Sequence, residues 1–380
     1  LVTIDMVTRE ALRIAHEKCQ FISTTDRQYD SSFAKTGAKI GASLRVRKPN
    51  QYLRTQGTRV MDVQEQDEQT STVTVATQDH VDMRFNSAEL ALSLDELSKR
   101  YIEPAVSSLV SAIEGDYLAY ATKKTYNVVG TAGTAITDLT APGLARARLN
   151  QMLAPKDRNR AIQMDSVTMA GLVKGVAAYF NPSGAISEQY REGLVARTSM
   201  ADYYENERVW TLTNSADVTV TTAAAAAVTD GGTNITLASV GAGDTTAGMT
   251  FTVAGVYACH PETKQSLGYL QPYVVITGGA TTQTVSPATI LTGPRQNVCS
   301  AASAQLATTA YNGTAVAVTF FGAANTSYAQ SLMYHKEAFQ FVTADLPLMD
   351  DAHKCVRRSQ DGLSLRVWQA SDIRNDELLM

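Results

Sequence analysis

The sequence predicts an α+β chain with several parts, in which a mixed helix and strand region is accompanied by one all-β domain. Three observations predict it. Residues 29–82 alternate apolar and polar side chains as strands do, an apolar helical stripe lies within residues 102–120, and residues 215–324 are nearly free of charge. At 380 residues the chain is too long for one ordinary core, which favours two or three domains.

The N-terminal segment is predicted to form an amphipathic helix over residues 5–20. Apolar side chains recur there at helical spacing, so that one face can be buried. They are Met6, Ala11, Ile14, Ala15 and Cys19.

The next segment is an arm, residues 29–82, whose charges are sorted by sign. Its basic residues are Lys35, Lys39, Arg45, Arg47, Lys48, Arg54 and Arg59, with no acid among them. From Asp62 to Asp82 the charges are all acidic, namely Asp62, Glu65, Asp67, Glu68, Asp79 and Asp82, with no Lys or Arg among them. A random mixture of the 33 basic and 37 acidic residues would seldom separate so cleanly.

This sorting predicts a long hairpin between Gly37 and Asp82 with one positive and one negative limb. Such a hairpin suits contact with a copy of itself or a neighbouring chain better than contact with a small ligand. The basic limb lacks interleaved aromatics apart from Tyr52, which disfavours nucleic acid as its partner. The candidate inter-subunit contact residues are Lys35, Lys39, Arg45, Arg47, Arg54, Arg59, Asp62, Glu65, Asp67 and Glu68.

A long helix is predicted next. Ser93 and Glu96 have the spacing of a capping box, and the stripe behind them consists of Ile102, Val106, Leu109, Ile113, Tyr117 and Tyr120. Pro104 would kink or restart the helix because it lacks the backbone donor. A helix of about thirty residues, ending near Tyr126, would span roughly 45 Å.

Shorter elements follow this helix. We expect a helix over residues 143–152 with Leu144, Leu149 and Leu153 inward, and a strand over 161–166. A second helix over 169–179 and a turn at 181–184 complete this part.

Residues 215–324 differ sharply in composition. Six of these 110 residues are charged, against 64 of the other 270. Short apolar runs separated by glycine-containing turns predict a small all-β domain. Its expected inward positions are Val253, Tyr257, Val275, Ile276, Val316, Val318 and Phe320.

Candidate chemical sites are weak. Cys259 and His260 could ligate a metal, but the other cysteines and histidines offer no companion pair at ligand spacing. Asp350, Asp351 and His353 gather carboxylates and an imidazole, but no hydrolase or zinc motif accompanies them. We therefore expect no catalytic, cofactor-binding or metal-binding residues and no cofactor. Free, mostly buried thiols made in a reducing cytoplasm are expected for the four cysteines, Cys19, Cys259, Cys299 and Cys355.

Charge and hydropathy exclude other classes. The net charge of −4 argues against a general nucleic-acid binder. No apolar run approaches the ~20 residues needed to cross a bilayer, and no signal peptide is expected from the N-terminal residues.

Four groups of short motifs occur in a fixed order. They are YDSSFAKTGAKIG (29–41) with LRVRKP (44–49), LSLD (92–95) with RYIEPA (100–105), EQYREG (188–193) with DYYEN (202–206), and HKEAF (335–339) with ADLP (344–347). Together they resemble the P22-like family of tailed-phage major capsid (coat) proteins, over roughly residues 5–214 and 325–376.

The resemblance implies an HK97-like capsid fold (Hong Kong 97 type) without catalysis of its own. Because both flanks of residues 215–324 resemble the same family, an insertion domain, a β-barrel in that family, explains them better than a tandem domain. The implied parts are an N-terminal arm helix (1–28), an extended E-loop hairpin with peripheral-domain strands (29–87), a spine helix with peripheral domain (88–130), a first axial part (131–214), the insertion domain (215–324), and a final axial and peripheral part (325–380).

The implied function is self-assembly into the icosahedral shell that encloses the double-stranded DNA of a tailed bacteriophage. Implied partners are copies of the chain in hexamers and pentamers, a scaffolding protein and a portal at one vertex, with no sequence-specific DNA binding and no membrane. The shell would be assembled in the bacterial cytoplasm and become the virion capsid. The alternative is a soluble enzyme or glycan-binding protein with an appended β module, in which the polarised hairpin has no obvious place.

Overall fold

The computed structural model of the chain describes residues 4–27, 43–54, 56–57, 63–64, 68–74, 77–86, 98–176, 201–215, 219–221, 229–238, 245–279, 281–304, 306, 316–343, 348, 354–360, 362–372 and 377–380. The chain divides into two compact units. Unit 1 consists of Leu1–Pro49, Glu68–Tyr117 and Lys336–Met380, and unit 2 of Asn50–Asp67 and Leu118–His335. Both contain helices and sheets, so the predicted α+β class is confirmed.

The described helices are α1 (Ile4–Lys18), α2 (Phe21–Thr24), α3 (Glu103–Lys124), α4 (Thr140–Gln151) and α5 (Ser166–Val176), with a π-helical turn at Ser98–Ile102 and a 3-10 turn at Lys336–Ala338. The described strands are β1 (Ser43–Arg47), β2 (Thr70–Thr74), β3 (Arg84–Asn86), β4 (Arg160–Met164), β5 (Asp202–Glu205), β6 (Thr211–Thr213), β7 (Thr219–Thr221), β8 (Gly232–Thr236), β9 (Thr250–Cys259), β10 (Ser266–Thr277), β11 (Thr282–Thr289), β12 (Val298–Cys299), β13 (Ala317–Phe320), β14 (Ser327–Ala329), β15 (Leu332–His335), β16 (Lys354–Gln360), β17 (Leu363–Asp372) and β18 (Glu377–Leu379).

These strands form separate sheets in the two units. Unit 1 contains the two-stranded ribbon β1-β2 and the sheet β16-β17-β18-β3. Unit 2 contains the sheet β15-β4-β5, the pair β14-β6, and a seven-stranded sheet in the order β7-β13-β9-β10-β11-β8 with β12 on β9.

Helix α1 confirms the predicted N-terminal helix, although Met6 of the expected buried face is 44% exposed. Its buried residues are Ile4, Val7, Thr8, Ala11, Leu12, Ile14 and Ala15, and several of them pack with Val106 and Val110 of α3. At its start, Arg358 Nη2 lies 2.7 Å from Asp5 Oδ1. The hydrogen bond from Arg358 lowers the pKa of the Asp5 carboxyl.

Helix α3 is shorter than predicted and buries a different row. Its 22 residues span about 33 Å, and Pro104 lies in its first turn, where a missing N–H costs little. The fully buried row is Ile102, Val106, Val110, Glu114, Leu118 and Ala121, whereas Tyr120 is 59% exposed. The prediction failed because the row passes through a carboxylate, which a polarity pattern assigns to the surface. Residues 93 and 96 of the expected capping box lie outside the described residues.

The elements that follow α3 agree in type with the prediction but differ in detail. Helix α4 begins at Thr140, and Leu144 and Leu153 are 48% and 45% exposed rather than inward. Leu144 lies against a cavity, and Leu153 follows the end of the helix with a positive φ of 62°. Strand β4 is fully buried as the centre of its sheet. Residues 177–179 and the turn at 181–184 lie outside the described part of the chain.

The three-stranded sheet of unit 2 uses chain segments from both sides of the charge-poor region. Strand β4 pairs parallel with β5 and antiparallel with β15. Beside it, β6 pairs with β14 up to Thr213 opposite Ser327. The Asn325 N–H donates to the Ser215 carbonyl at 3.1 Å. The chain therefore enters and leaves the seven-stranded sheet through one antiparallel pair.

The seven-stranded sheet contains the largest core of unit 2. Four of the seven expected inward residues are buried in it, namely Val253, Val275, Val318 and Phe320, and Val316 packs against the same core. Phe251 lies at its centre, with ring centroids 5.1 Å from Phe320 and 5.8 Å from Tyr273.

Tyr257 and Ile276 differ from the prediction, since both are half-buried. The buried residues of β9 include, in order, Phe251, Val253, Val256 and Ala258. Gly255 has a φ of 82°, and the register of β9 with β10 shifts between Leu270 and Pro272. Between the pairs Leu270–Tyr257 and Pro272–Thr252, β10 advances two residues while β9 advances five. The irregularity therefore places three extra residues in β9, an odd number, so the inward and outward alternation changes phase near Gly255.

The first prediction concerns this core. We expect an excised fragment of residues 215–324 to unfold in one cooperative β transition by circular dichroism, since ~110 residues can bury an ordinary core. Phe251→Ala should lower its free energy of unfolding by about 3–5 kcal/mol through cavity formation. The exposed control, Thr277→Ala, should change it by less than about 0.5 kcal/mol. A random-coil spectrum of the unsubstituted fragment would show that the sheet depends on its host.

Candidate inter-subunit surface

The described part of the arm is an antiparallel ribbon. Arg45 lies opposite Thr72 and Arg47 opposite Thr70. The Lys48 N–H donates to the Gln69 carbonyl at 2.8 Å, which extends the pairing by one step. The alternating pattern of the two limbs therefore forms paired strands, as predicted for a hairpin.

This ribbon buries little of itself. Arg45, Arg47 and Lys48 are exposed on β1 and its continuation, and four of the five residues of β2 are exposed. Neither strand pairs with a third strand among the described residues. A lone two-stranded hairpin is marginally stable in water, and unpaired strand edges favour pairing with another chain.

One predicted pair of opposite charges meets within the chain. Arg47 Nη1 lies 3.3 Å from Glu68 Oε2 across the ribbon, with the side chains 76% and 54% exposed. An exposed pair of this kind contributes about 0–1 kcal/mol because water and salt screen it. The two limbs therefore do attract each other, but this contact is weak.

The ten candidate residues divide into two groups. Arg45, Arg47, Arg54 and Glu68 are described, and all four are exposed. Lys35, Lys39, Arg59, Asp62, Glu65 and Asp67 lie outside the described residues. The structure therefore brings together Arg47 and Glu68, and the contact role of the whole set stays a prediction.

A further contact between the limbs was not predicted from the sequence. The Gln64 side chain accepts the Leu53 N–H at 2.9 Å and donates to the Leu53 carbonyl at 2.6 Å. A side-chain amide thus takes the place of a paired strand residue. No sequence signal marks a glutamine for this role. On either side, Tyr52 is 57% and Val63 is 81% exposed, so this part of the arm presents apolar groups as well as charges.

Cys259 and His260, the possible metal ligands in the sequence, make local contacts instead. His260 Nδ1 accepts the N–H groups of Glu262 and Thr263, both at 3.2 Å. Burial, together with the nearby Cys299, raises the pKa of the Cys259 thiol to about 12. All four cysteines are free, as expected.

Unit 2 contains a cavity of about 570 Å³ lined by α4, the end of α3 and the loop between them. Asn127 Oδ1 and Arg148 Nη1 line it and have no hydrogen-bond partner in the described structure. The Arg148 guanidinium lies 3.0 Å from the ring centroid of Tyr269. Asp138 is the one carboxylate in the described lining, which also contains threonine and serine hydroxyls but no imidazole or thiol.

The described residues show no sign of a metal site or a membrane-spanning helix. They include no group of three or more His, Cys, Asp or Glu side chains placed to hold a metal ion. Residues 350, 351 and 353 lie outside the described part. Among the described helices, none is long and apolar enough to span a membrane.

Comparisons with known proteins give partial structural matches. No family model and no curated protein matches the chain. A solved structure of Mycobacterium phage Che8 is 11% identical, covers 50% of this chain and 69% of its own, and has a TM-score of 0.39. The capsid structure of the cyanophage P-SCSP1u is 12% identical, covers 48% of this chain and 62% of its own, and has a TM-score of 0.33. Both scores are below 0.5, so these matches carry no argument about the fold or function of this chain.

The second prediction tests the ribbon pair. In the full-length chain, Arg47→Glu and Glu68→Arg should each speed amide hydrogen exchange in β1 and β2, and the double reversal should restore part of the protection. The expected coupling is about 0.2–1 kcal/mol. Arg45→Glu is the matched control, since the same limb changes charge at a position for which no ion pair is described. Equal effects with and without the partner reversal would mean that Arg47 and Glu68 do not pair in solution.

Proposed function

We propose that this chain is the major capsid protein of a tailed bacteriophage of the P22-like branch. It self-assembles through hexamers and pentamers into an icosahedral shell that encloses double-stranded DNA. The observation that carries the proposal is the ribbon of β1 with β2, which lies within the charge-sorted arm and is exposed along most of its length. A segment of this kind finds its missing contacts on other copies of the chain.

The proposed fold is HK97-like. In it, α1 belongs to the N-terminal arm, β1 and β2 to the extended E-loop hairpin, and α3 to the spine helix. The sheet β16-β17-β18-β3 belongs to the peripheral domain and the sheet β15-β4-β5 to the axial domain. The antiparallel register of β1 with β2 supports this assignment.

The seven-stranded sheet is the proposed insertion domain. Two facts support this: one antiparallel pair, β6 with β14, carries the chain in and out, and strands from both flanks share the sheet β15-β4-β5. We propose that this sheet closes into a β-barrel. The domain stabilises the subunit or contacts a neighbour. Its low charge leaves backbone pairing and apolar packing as the contact chemistry.

The proposed subunit has no catalytic activity and no cofactor. Its net charge of −4 suits a container whose wall does not retain DNA. A scaffolding protein during assembly and a portal at one vertex are the further proposed partners. Assembly takes place in the bacterial cytoplasm and the product is the virion capsid.

The function is tested directly by sedimentation and negative-stain microscopy of the expressed chain. Shells, partial shells or tubes are the expected products. A clean monomer that binds glycans would instead indicate the alternative, a glycan-binding protein with an appended β module.

The third prediction concerns how the arm contributes to assembly. Basic residues among the ten candidates face acidic residues on an adjacent copy of the chain. Arginine is the favoured cation because its planar guanidinium can bind a carboxylate through two hydrogen bonds. Each exposed pair is worth about 0–1 kcal/mol, but a closed lattice repeats it in every subunit. Reversing Arg54 and Arg59 to Glu should leave the monomer folded and slow or abolish assembly, as measured by light scattering.

Two comparisons make this test specific. A compensating reversal of Glu65, Asp67 and Glu68 should restore part of the assembly rate. The control, Lys156→Glu with Lys174→Glu, changes net charge equally at exposed positions outside the arm and should assemble normally. Normal assembly of the Arg54 and Arg59 variant at low salt, where charge effects are largest, would refute the electrostatic role.

The fourth prediction is that the subunits are not covalently linked. Some members of the proposed fold join subunits through a Lys–Asn isopeptide bond, a chemistry not known in the P22-like branch. Denaturing electrophoresis of assembled material should therefore show a single band near 40.9 kDa. A ladder of covalent multimers would contradict this.

A further inference from the structure

Two of the four cysteines lie side by side in the seven-stranded sheet of unit 2. Strand β12 pairs with β9 so that Cys299 lies opposite Tyr257. The Cys259 N–H donates to the Asn297 carbonyl at 3.0 Å, which extends this pairing by one residue. Because side chains alternate between the two faces of a strand, Cys259 and Cys299 are diagonal neighbours on one face of the sheet.

The two thiol groups form a hydrogen bond with each other. Burial, and then the charge and hydrogen bond of Cys299, raise the pKa of the Cys259 thiol to about 12. Burial also raises the pKa of Cys299, but hydrogen bonds from Cys259 and Ser266 lower it in part. A hydrogen bond donated to a thiolate favours the ionised form. Cys299 is therefore the thiol of the pair that ionises more readily.

The pair is buried, but it lies at two strand ends that are next to exposed residues. Cys259 is the last residue of β9, and the exposed Glu262 and Thr263 follow in a turn. Cys299 is the second of the two residues of β12, and the exposed residues 301–304 follow it. Strand ends open locally at a lower free energy than the centre of a sheet. A molecule as small as hydrogen peroxide can therefore reach the pair without unfolding of the sheet.

The two cysteines are close enough to be joined after a small movement. Cα atoms of diagonal neighbours are typically about 7–8 Å apart, and a disulfide needs roughly 4.4–6.8 Å. The two side chains already meet through the hydrogen bond between their thiols. Strand β12 pairs with β9 through two residues, so a shift of β12 toward β9 by about 1 Å disturbs few hydrogen bonds.

We propose that Cys259 and Cys299 are an oxidation site at which hydrogen peroxide produces a disulfide within the chain. The Cys299 thiolate attacks one peroxide oxygen, the O–O bond breaks, and Cys299 becomes a sulfenic acid. The released hydroxide takes up the proton that Cys299 lost. The Cys259 sulfur then attacks the sulfenic sulfur, and the S–S bond forms as the hydroxyl leaves with the Cys259 proton as water. Two thiols and one peroxide thus give one disulfide and two waters.

The bond would connect β9 to β12 and enclose β10 and β11 in one covalent loop. Closing such a loop stabilises a fold chiefly by restricting its unfolded state. Surroundings rich in reductants keep the two thiols free, as they are in this structure, whereas surroundings without reductants favour the disulfide. This inference goes beyond the proposed capsid function and does not depend on it, since it concerns the single chain.

The test is peptide mapping of the unsubstituted full-length chain by mass spectrometry, before and after treatment with hydrogen peroxide. We expect a peptide pair joined through Cys259 and Cys299 that dithiothreitol separates again. The midpoint of thermal unfolding of the sheet should be about 5–15 °C higher with the disulfide than without it. The proposal would be overturned if both thiols stayed free under conditions that fully oxidise the less buried Cys355, or if other cysteines paired instead.

Two matched variants test the order of the steps. Cys259→Ser removes the second thiol, so Cys299 should accumulate as a sulfenic acid that dimedone traps. In Cys299→Ser, dimedone labelling of Cys259 should be lower by about tenfold or more, because less thiolate is present. Equal labelling in the two variants would refute the role of Cys299 as the attacking thiol. The mapping of the unsubstituted chain decides the pairing whether or not the variants fold.

Discussion

The connection of the seven-stranded sheet to the rest of unit 2 depends on one interaction, the antiparallel pairing of β6 with β14. This pairing keeps the two ends of the long segment between β6 and β14 side by side. Asn214 strengthens it by donating from its side-chain amide to the carbonyls of Phe321 and Ala323 at 2.9 and 3.1 Å. Gly322 has a φ of 99°, and a Cβ there would lie 2.7 Å from Asn214 Nδ2. A larger residue at position 322 would therefore disrupt the hydrogen bonds of Asn214 that join the two ends of this segment.

Many of the helices and strands could be predicted from local sequence patterns, and the predictions that failed did so for specific physical reasons. Helix α1 was predicted because burial of one helix face leaves a clear periodicity in the sequence. The irregularity near Gly255 changes the phase of the alternation in β9, and sequence alternation does not reveal where a bulge will form. Glu114 is not in the predicted apolar stripe, and the backbone N–H groups of Gln20, Phe21 and Ile22 that its buried Oε1 accepts lie about ninety positions away in the sequence.

The candidate surface was predictable in part. Charge sorting indicated two paired limbs. The ion pair between Arg47 and Glu68 shows that the limbs lie close enough for opposite charges to meet. Charge alone did not indicate Gln64, whose amide pairs with the main chain of Leu53, or the exposed Tyr52 and Val63. The arm thus combines weak, screened attractions with backbone-like pairing and apolar surface. These three kinds of interaction respond differently to salt.

The contact between Glu114 and the N-terminal segment is made to main-chain groups alone. The side chains of residues 20–22 do not take part in these three hydrogen bonds, so the bonds do not depend on which amino acids stand there. Proline is the exception, because it has no backbone N–H to donate. During evolution, Glu114 itself should therefore be strongly conserved, whereas Gln20 should tolerate substitution. Gln20 is also less buried than Phe21, so packing restricts it less.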